Sequence, residues 1–192
     1  MIVGAVAHDT RSRLLDTAVK LFSEHGVEGT SLQMIADELG ITKAAVYYHF
    51  KTKDAIADEI VTPLLAELNP IVEEASARRT RGAQIDHALA GFVDLIVRRR
   101  ALVGLMIRDP GILRAAGRTS RSPTVAEVRA KLYMMFVGPD PTPTDMITVH
   151  ILTRGLALAG GDPEYADVDD ETLRHHLLEA GRRLLGRPRR RT

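Results

Sequence analysis

Residues 30–53 read TSLQMIADELGITKAAVYYHFKTK. Apolar residues recur at helical spacing up to Leu39, and the Gly40 that follows can adopt the left-handed conformation that ends a helix. Thr42 then stands where a second short helix, ending near Phe50, needs a side chain to cap its first amide groups. The stretch therefore predicts two short helices joined by a tight turn, which is the helix-turn-helix arrangement.

The residues on either side of this stretch extend the helical prediction. An apolar stripe predicts a first helix over residues 11–25, with Gly26 placed to end it. Thr30 and Gln33 have the spacing of a capping box, in which each side chain bonds the backbone amide of the other residue. Thr52 is placed to cap a further helix. The N-terminal part of the chain is thus expected to be a small bundle of helices.

The exposed face of the helix that begins near Thr42 suits the major groove of DNA. Small side chains at Ala44 and Ala45 let the backbone approach the bases, and they can touch a thymine methyl group. Lys43 can donate to guanine acceptors or to a phosphate. The start of this helix is therefore predicted to read the duplex.

Side chains with polar tips follow at the end of the same helix. Tyr47, Tyr48 and His49 can reach phosphate oxygens on the walls of the groove. Lys53 can bind a further phosphate beside the start of the next helix. Tyr47 has the alternative of packing into the helical core, and Phe50 is expected to be a core residue rather than a contact.

The composition fits a helical protein that attracts phosphates only locally. Of 192 residues, 45% are hydrophobic and 4% aromatic, so the core must be built from aliphatic side chains, which suits helices better than sheets. The net charge is +1, and residues 1–60 hold six Lys or Arg against nine Asp or Glu. Residues 41–53, however, contain three Lys and no acid, so any attraction for DNA is concentrated there.

The rest of the chain reads as longer apolar helices separated by Pro and Gly clusters at residues 109–111 and 139–143. Pro63 is expected to bend the helix that contains it. The later helices are predicted over residues 84–97, 102–107, 124–136, 144–158 and 169–185. We expect an all-α protein with three parts, namely a helix-turn-helix domain over residues 10–55, a larger helical domain over residues 56–186, and a basic tail over residues 187–192.

Several spacings agree at once with a known family. The segment over roughly residues 10–60 resembles the DNA-binding domain of the TetR family of bacterial repressors. The matching residues are Thr30, Ile35–Ala36, Leu39–Gly40–Ile41, Tyr47–Tyr48–His49–Phe50 and Lys51–Thr52–Lys53. The remaining two thirds is similar to the family only in length and helical character.

The resemblance implies a homodimer of about nine helices per chain, in which three helices bind an operator in double-stranded DNA and the later helices bind a ligand and pair the chains. Gln33 and Lys43 would read bases, although Gln33 can serve as a capping residue instead or as well. Ala44 and Ala45 would lie against bases. The residues that would hold phosphates are Thr30, Tyr47, Tyr48, His49 and Lys53. Thr42, a small polar residue at the exposed start of the helix with Lys43, Ala44 and Ala45, would also face the DNA. One departure is that this recognition helix has few side chains that donate strongly to base edges.

The resemblance also assigns two tasks to the later helices. A small, largely apolar effector would release the DNA from a palindromic operator, and the residues expected to line its pocket are Phe92, Val93, Ile96, Leu105, Met106, Ile112, Leu132, Met135, Phe136, Ile147 and Ile151. A packed core without an effector site is the alternative. The residues expected at the dimer interface are His150, Thr153, Arg154, Ala157, Leu158, Gly161, Leu173, His176, Leu177, Ala180 and Leu184.

Other classes of protein find little support. The chain has no Cys, which removes disulfides, thiolate nucleophiles and thiolate metal sites. No familiar catalytic spacing occurs, so neither an enzyme nor a cofactor is expected. His175 and His176 point about 100° apart on a helix and do not easily share one metal ion. No apolar run approaches the roughly 18 residues of a membrane span, which fits a cytoplasmic protein with no membrane partner.

Overall fold

The computed structural model describes the backbone of residues 3–116 and 125–186, with their side chains except those of residues 3–9, 65, 125, 126, 128 and 129. The predicted basic tail, residues 187–192, lies outside the described residues. Within this part of the chain every regular element is helical, and the all-α class is confirmed. The helices are α1 (Val3–Gly29), α2 (Leu32–Leu39), α3 (Lys43–His49), α4 (Lys53–Ser76), α5 (Arg81–Arg98), α6 (Arg100–Arg108), α7 (Pro110–Ala116), α8 (Val125–Val137), α9 (Pro143–Gly160), a 3-10 turn (Pro163–Tyr165) and α10 (Asp170–Leu184).

Helix α1 begins well before residue 11, where the apolar stripe placed its start. Gly26 interrupts it as predicted, because its φ of 71° and ψ of 164° cannot continue an α-helix. One further turn then runs to Gly29. Helix α4 continues through Pro63 without interruption, and the bend expected there stays a prediction.

The described chain has ten α-helices instead of about nine because α7 was missed. The sequence Asp109–Pro110–Gly111 predicts a break between helices. Asp109 in fact caps α7, since its Oδ1 accepts the Gly111 N–H at 2.8 Å, and Pro110 occupies the first helical position, where its missing N–H costs nothing. The same residues that end α6 therefore start the next helix.

Contacts divide the chain into two units, which differ from the predicted domains. Among the described residues, the N-terminal unit extends to residue 63 instead of the predicted residue 55, and residues 108–116 also belong to it. The physical reason lies in apolar burial, because Ile56 in α4 and Ile112 in α7 are both fully buried, and α7 packs on α1. In the described part of the chain, the first unit comprises residues 3–63 and 108–116, and the second comprises residues 64–107 and 125–186.

The first unit is built on α1, which contacts α2 and α7, while α2 contacts α3. Its core contains Leu14 and Phe22 of α1, Ile35 of α2 and Val46 of α3, each 0–1% exposed. Phe50, at the end of α3, is 3% exposed and confirms its prediction as a core residue.

The second unit is organised around α5, which contacts α8, α9 and α10. Helix packing on α5 is close at two glycines. A Cβ atom added at Gly160 would lie 2.2 Å from Ile96 Cγ2, and one added at Gly181 would lie 2.8 Å from Leu89 Cδ1. Glycine at these positions lets α9 and α10 approach α5. None of the described helices is long and apolar enough to cross a membrane.

Side chains also fix the elements of the second unit. Thr142 and Asp145 form a capping box at the start of α9, and the Thr142 hydroxyl holds the pKa of the Asp145 carboxyl below its usual value. Arg174 of α10 forms an ion pair with Asp94 of α5, and this hydrogen-bonded partner raises the pKa of the Arg174 guanidinium.

Candidate nucleic-acid interface

The turn between α2 and α3 is fixed by two local interactions. Gly40 adopts the left-handed conformation, with φ 65° and ψ 30°, and its N–H donates to the carbonyl groups of Ala36 and Asp37. Thr42 caps α3, because its hydroxyl accepts the Ala45 N–H at 3.2 Å. Both features were predicted from the sequence. Both act on backbone groups within a few positions, so they fix the α2–α3 turn locally.

Helix α3 is anchored on one side and open on the other. Val46 is fully buried, whereas Lys43 and Ala44 are exposed, and Tyr48 is 79% exposed. No partner contacts the Lys43 ammonium group among the described residues. The predicted recognition helix therefore presents a continuous exposed face that begins at its N-terminus.

The end of this face carries a positive charge and aromatic rings. Lys51 Nζ lies 4.3 Å from the centre of the Tyr47 ring, a cation–π contact that holds the half-exposed tyrosine on the surface. The alternative in which Tyr47 fills the core is therefore wrong. The Tyr48 and His49 rings meet edge to face at 5.2 Å, and His49 is half-buried.

Thr30 does not belong to the exposed face, and its predicted contact with phosphate is wrong. The side chain is buried, and its hydroxyl donates to the carbonyl groups of Leu21 at 3.2 Å and Gly26 at 2.8 Å. Ser31, not Thr30, caps α2 by accepting the Met34 N–H.

The predicted capping box is also corrected, because Gln33 does not take part in one. Its side-chain amide donates to Asp37 Oδ1 at 2.7 Å, on the exposed side of α2. The amide group is therefore at the surface, where a role in reading bases stays a prediction.

Lys53 is already engaged within the protein. Its ammonium group donates to the carbonyl oxygens of Val27 at 2.9 Å and Glu28 at 3.1 Å, and it pairs with the Glu28 carboxylate at 3.0 Å. The prediction of a free phosphate ligand is corrected by these contacts. Lys53 instead ties the start of α4 to the end of α1.

Sequence reasoning missed Arg11 as a support for α3. The Arg11 guanidinium lies 4.6 Å from the centre of the Phe50 ring and pairs with Glu59 of α4 at 3.0 Å. It thereby joins α1, the end of α3 and α4. No local sequence pattern around Arg11 predicts this contact, because its partners are distant in sequence.

The residues predicted to line an effector pocket divide into three groups. Eight lie inside the second unit; Val93, Ile96, Leu105, Leu132 and Phe136 are buried, and Phe92, Met106 and Met135 are half-buried. Ile112 is corrected, because it belongs to α7 in the first unit. Ile147 and Ile151 are corrected as well, since they are 59% and 55% exposed on the outside of α9.

The predicted dimer residues are only partly at the surface. His150, Arg154, Leu158, His176, Ala180 and Leu184 are exposed along α9 and α10. Ala157, Leu173 and Leu177 are corrected, because each is buried against the core. Thr153 is half-buried, and its hydroxyl donates to the Val149 carbonyl oxygen. Gly161 faces inward, because an added Cβ atom would lie 2.5 Å from Gly104 N.

The helix-turn-helix segment is similar to known proteins. Residues 14–60 fit the family of bacterial regulatory proteins described as the tetR family. The HTH-type transcriptional regulator AcrR of Shigella flexneri is 48% identical over 54 residues, which are 28% of this chain and 25% of that protein. The HTH-type negative transcriptional regulator IcaR of the biofilm operon icaADBC, from Staphylococcus aureus strain Newman, is 40% identical over 62 residues, 32% of this chain and 33% of that protein.

The chain thus spans between a quarter and a third of the length of these curated relatives. The fold match extends further. SCO3833, a solved member of the TetR transcriptional regulator family from Streptomyces coelicolor A3, superposes with a TM-score of 0.70 at 20% identity, covering 92% of this chain and 91% of that one. Residues 14–60 are therefore similar to the tetR family of bacterial regulatory proteins, and the chain shares its helical fold with SCO3833 over nearly its whole length.

Proposed function

We propose that the protein is a transcriptional repressor that binds an operator in double-stranded DNA through α3. The strongest support is that α3 has one buried side and one exposed side. Val46 is buried, whereas Lys43 and Tyr48 are exposed. This seven-residue helix packs inward through Val46, which leaves its outer face available to a groove. Repression is favoured by the name of IcaR, a negative regulator.

The exposed residues fall into two groups by their place along α3. Lys43 and Ala44, with the half-buried Ala45, come first, where a recognition helix meets base edges. Tyr47, beside the Lys51 ammonium group, and Tyr48 come a turn later and reach the phosphates. The binding therefore combines base contact near Thr42 with phosphate contact near Phe50. A protein that acts on the chromosome in this way works in the cytoplasm.

The test compares two lysines that are both exposed. Lys43→Ala should weaken binding to a duplex selected by the protein from fragments of its own promoter region, and should change which sequences are preferred. Lys131→Ala, an equally exposed change in α8, should leave both properties unaltered. Affinity would be measured between about 50 and 200 mM salt, because contacts to phosphates make it fall steeply with salt.

Two results would contradict the proposal. One is wild-type protein that binds no duplex with salt-sensitive affinity. The other is equal behaviour of the Lys43 and Lys131 variants across all duplexes tested.

We also infer that the repressor is a homodimer paired through α9 and α10. Ile147, Ile151 and Leu158 are 59%, 55% and 52% exposed on one side of α9. On α10, His176 and Leu184 are exposed at a spacing that places them on one face. A stripe of large aliphatic side chains is unfavourable in water, and a second copy related by a two-fold axis would cover it. A dimer also explains how a short helix gains specificity, since it reads two half-sites of a palindrome.

We further propose that a small, largely apolar effector binds the second unit and releases the DNA. Support comes from the half-buried Phe92, Met106 and Met135, whose flexible or aromatic side chains suit a lining. Ile96 supports the alternative of a filled core, because it already packs against Gly160. A panel of lipophilic compounds decides between them: a compound that raises the melting temperature and releases the DNA supports an effector, and failure of all compounds in both assays supports the filled core.

A further inference from the structure

The break in α1 leaves one backbone amide without a helical partner. At Gly26 the φ of 71° turns the chain out of the helix, and the next residue, Val27, is fully buried. A buried N–H that lacks a partner is costly, so this amide needs an acceptor from elsewhere. The acceptor is Asp109, whose Oδ2 lies 2.6 Å from Val27 N although the two residues are 82 positions apart in the chain.

The same carboxylate serves a second helix. Asp109 Oδ1 accepts the Gly111 N–H at 2.8 Å and so caps α7. Glycine lets both backbone amides approach the carboxylate, because Val27 follows Gly26 and the second amide is that of Gly111 itself. A Cβ atom added at Gly111 would lie 2.7 Å from Oδ1, and one added at Gly26 would lie 3.3 Å from Oδ2. The two oxygens of one side chain thus hold the α1 break and the α7 start together.

The opposite side of Val27 is held by the start of α4. The Val27 carbonyl oxygen accepts from Lys53 Nζ at 2.9 Å. Its N–H and its carbonyl are therefore bound by two different elements, α7 through Asp109 and α4 through Lys53. We call this group of Val27, Asp109 and Lys53 the α1 joint. Lys53 follows the end of α3 by only a few residues, so the joint lies one short connection from the recognition helix.

Asp109 also occupies a special place in the chain. Helix α6 ends at Arg108, and the chain returns there from the second unit to the first. The first residue after α6 is thus the one whose carboxylate is fixed inside the helix-turn-helix unit.

We propose that Asp109 is a positioning residue for DNA binding, because its carboxylate fixes the α1 joint on which α4 and α3 are mounted. This inference rests on the proposed function. Asp109 touches no DNA in this scheme. It keeps α3 in the one orientation that fits both half-sites, and without it the joint is mobile and specific binding weakens.

The test uses Asp109→Ala and Asp109→Asn in the full-length chain. The first removes both acceptors, and the second keeps a single carbonyl oxygen. Asp140→Ala, an exposed acid with no partner among the described residues, is the matched control. Two duplexes serve as probes, one selected by the wild-type protein from random DNA and one with the same bases shuffled.

Asp109→Ala removes both hydrogen bonds of the carboxylate, so it should lower affinity for the selected duplex about tenfold and leave affinity for the shuffled duplex unchanged. The lysine and tyrosine contacts to phosphates remain in this variant. Only the part of the DNA affinity that depends on the orientation of α3 is therefore lost. Asp109→Asn should fall between Asp109→Ala and the wild type. Partial unfolding, in contrast, would lower both affinities by the same factor and would overturn a positioning role.

Hydrogen exchange tests the joint without DNA. The Val27 amide should exchange about tenfold faster in Asp109→Ala than in wild type, while the Gly40 amide, bonded within α2, should not change. Unchanged Val27 exchange, or wild-type affinity for the selected duplex in both variants, would overturn the inference. If the wild-type protein bound no DNA, the proposed function would fail, whereas the exchange result would still report on the joint.

Discussion

At the scale of single residues, Thr30 separates a structural role from a DNA-binding role. Its buried hydroxyl donates to two carbonyl groups, those of Leu21 and Gly26. Thr30→Val keeps the shape of the side chain but removes the hydroxyl donor from both carbonyl groups. The free energy of unfolding should therefore fall by about 1–3 kcal/mol. Chemical denaturation measures this, with the exposed Thr144→Val as a control that should change little. At temperatures where the variant is folded, its DNA affinity should equal that of wild type; a selective loss of affinity would restore the phosphate role.

Thr30 and Lys53 also show where sequence reasoning fails for individual side chains. Both have residue types that suit phosphate, and both instead bind backbone carbonyl groups at the end of α1. The choice depends on where the α1 break at Gly26 exposes those carbonyls, which is a tertiary property. Lys43 and Tyr48 could be predicted because their neighbours on α3 are small or point inward, and this follows from helical periodicity alone.

At the scale of elements, the α2–α3 turn depends on the left-handed conformation of Gly40. An added Cβ atom there meets no other atom within 4 Å, so the cost of a substitution is backbone strain alone. Gly40→Ala should therefore lower the free energy of unfolding by about 1–2 kcal/mol, and Gly40→Asn should cost less because Asn tolerates this conformation. Thermal or chemical denaturation of the pair checks this. Equal stability of the Ala and Asn variants would show that φ 65° is not required in solution.

Elements stabilised by local interactions were predictable, and an element that depends on distant ones was not. Gly40 and Thr42 act on backbone groups within a few positions, so α2 and α3 were placed from sequence. Helix α7 has a local start signal in Asp109 and Pro110, yet this pair also fits a chain break. The contact that decides is with Val27, far away in sequence, and only the folded chain shows it.

At the scale of the whole molecule, the predicted outer faces of α9 and α10 were close to those observed but included residues that point inward. Leu158 and His176 are exposed as expected, whereas Ala157 and Leu177, one position along, are buried. Neighbouring positions on a helix differ by about 100°, so adding one residue moves the face from solvent into the core. Because α9 is apolar on more than one side, periodicity alone could not decide which of its stripes faces outward.

This exposed face leads to the last prediction, which concerns assembly. Ile151 is 55% exposed, so Ile151→Asp should leave the stability of a single chain within about 0.5 kcal/mol of wild type. If a second copy covers this face, a buried unpaired charge should raise the dimer dissociation constant by about tenfold or more, as measured by analytical ultracentrifugation. Tyr165→Asp alters a similarly exposed apolar residue in the 3-10 turn and should leave dimerisation intact. Operator affinity should fall together with dimerisation, because one chain reads only one half-site. An Ile151→Asp protein that remains fully dimeric and binds the operator normally would show that the chains pair through another surface.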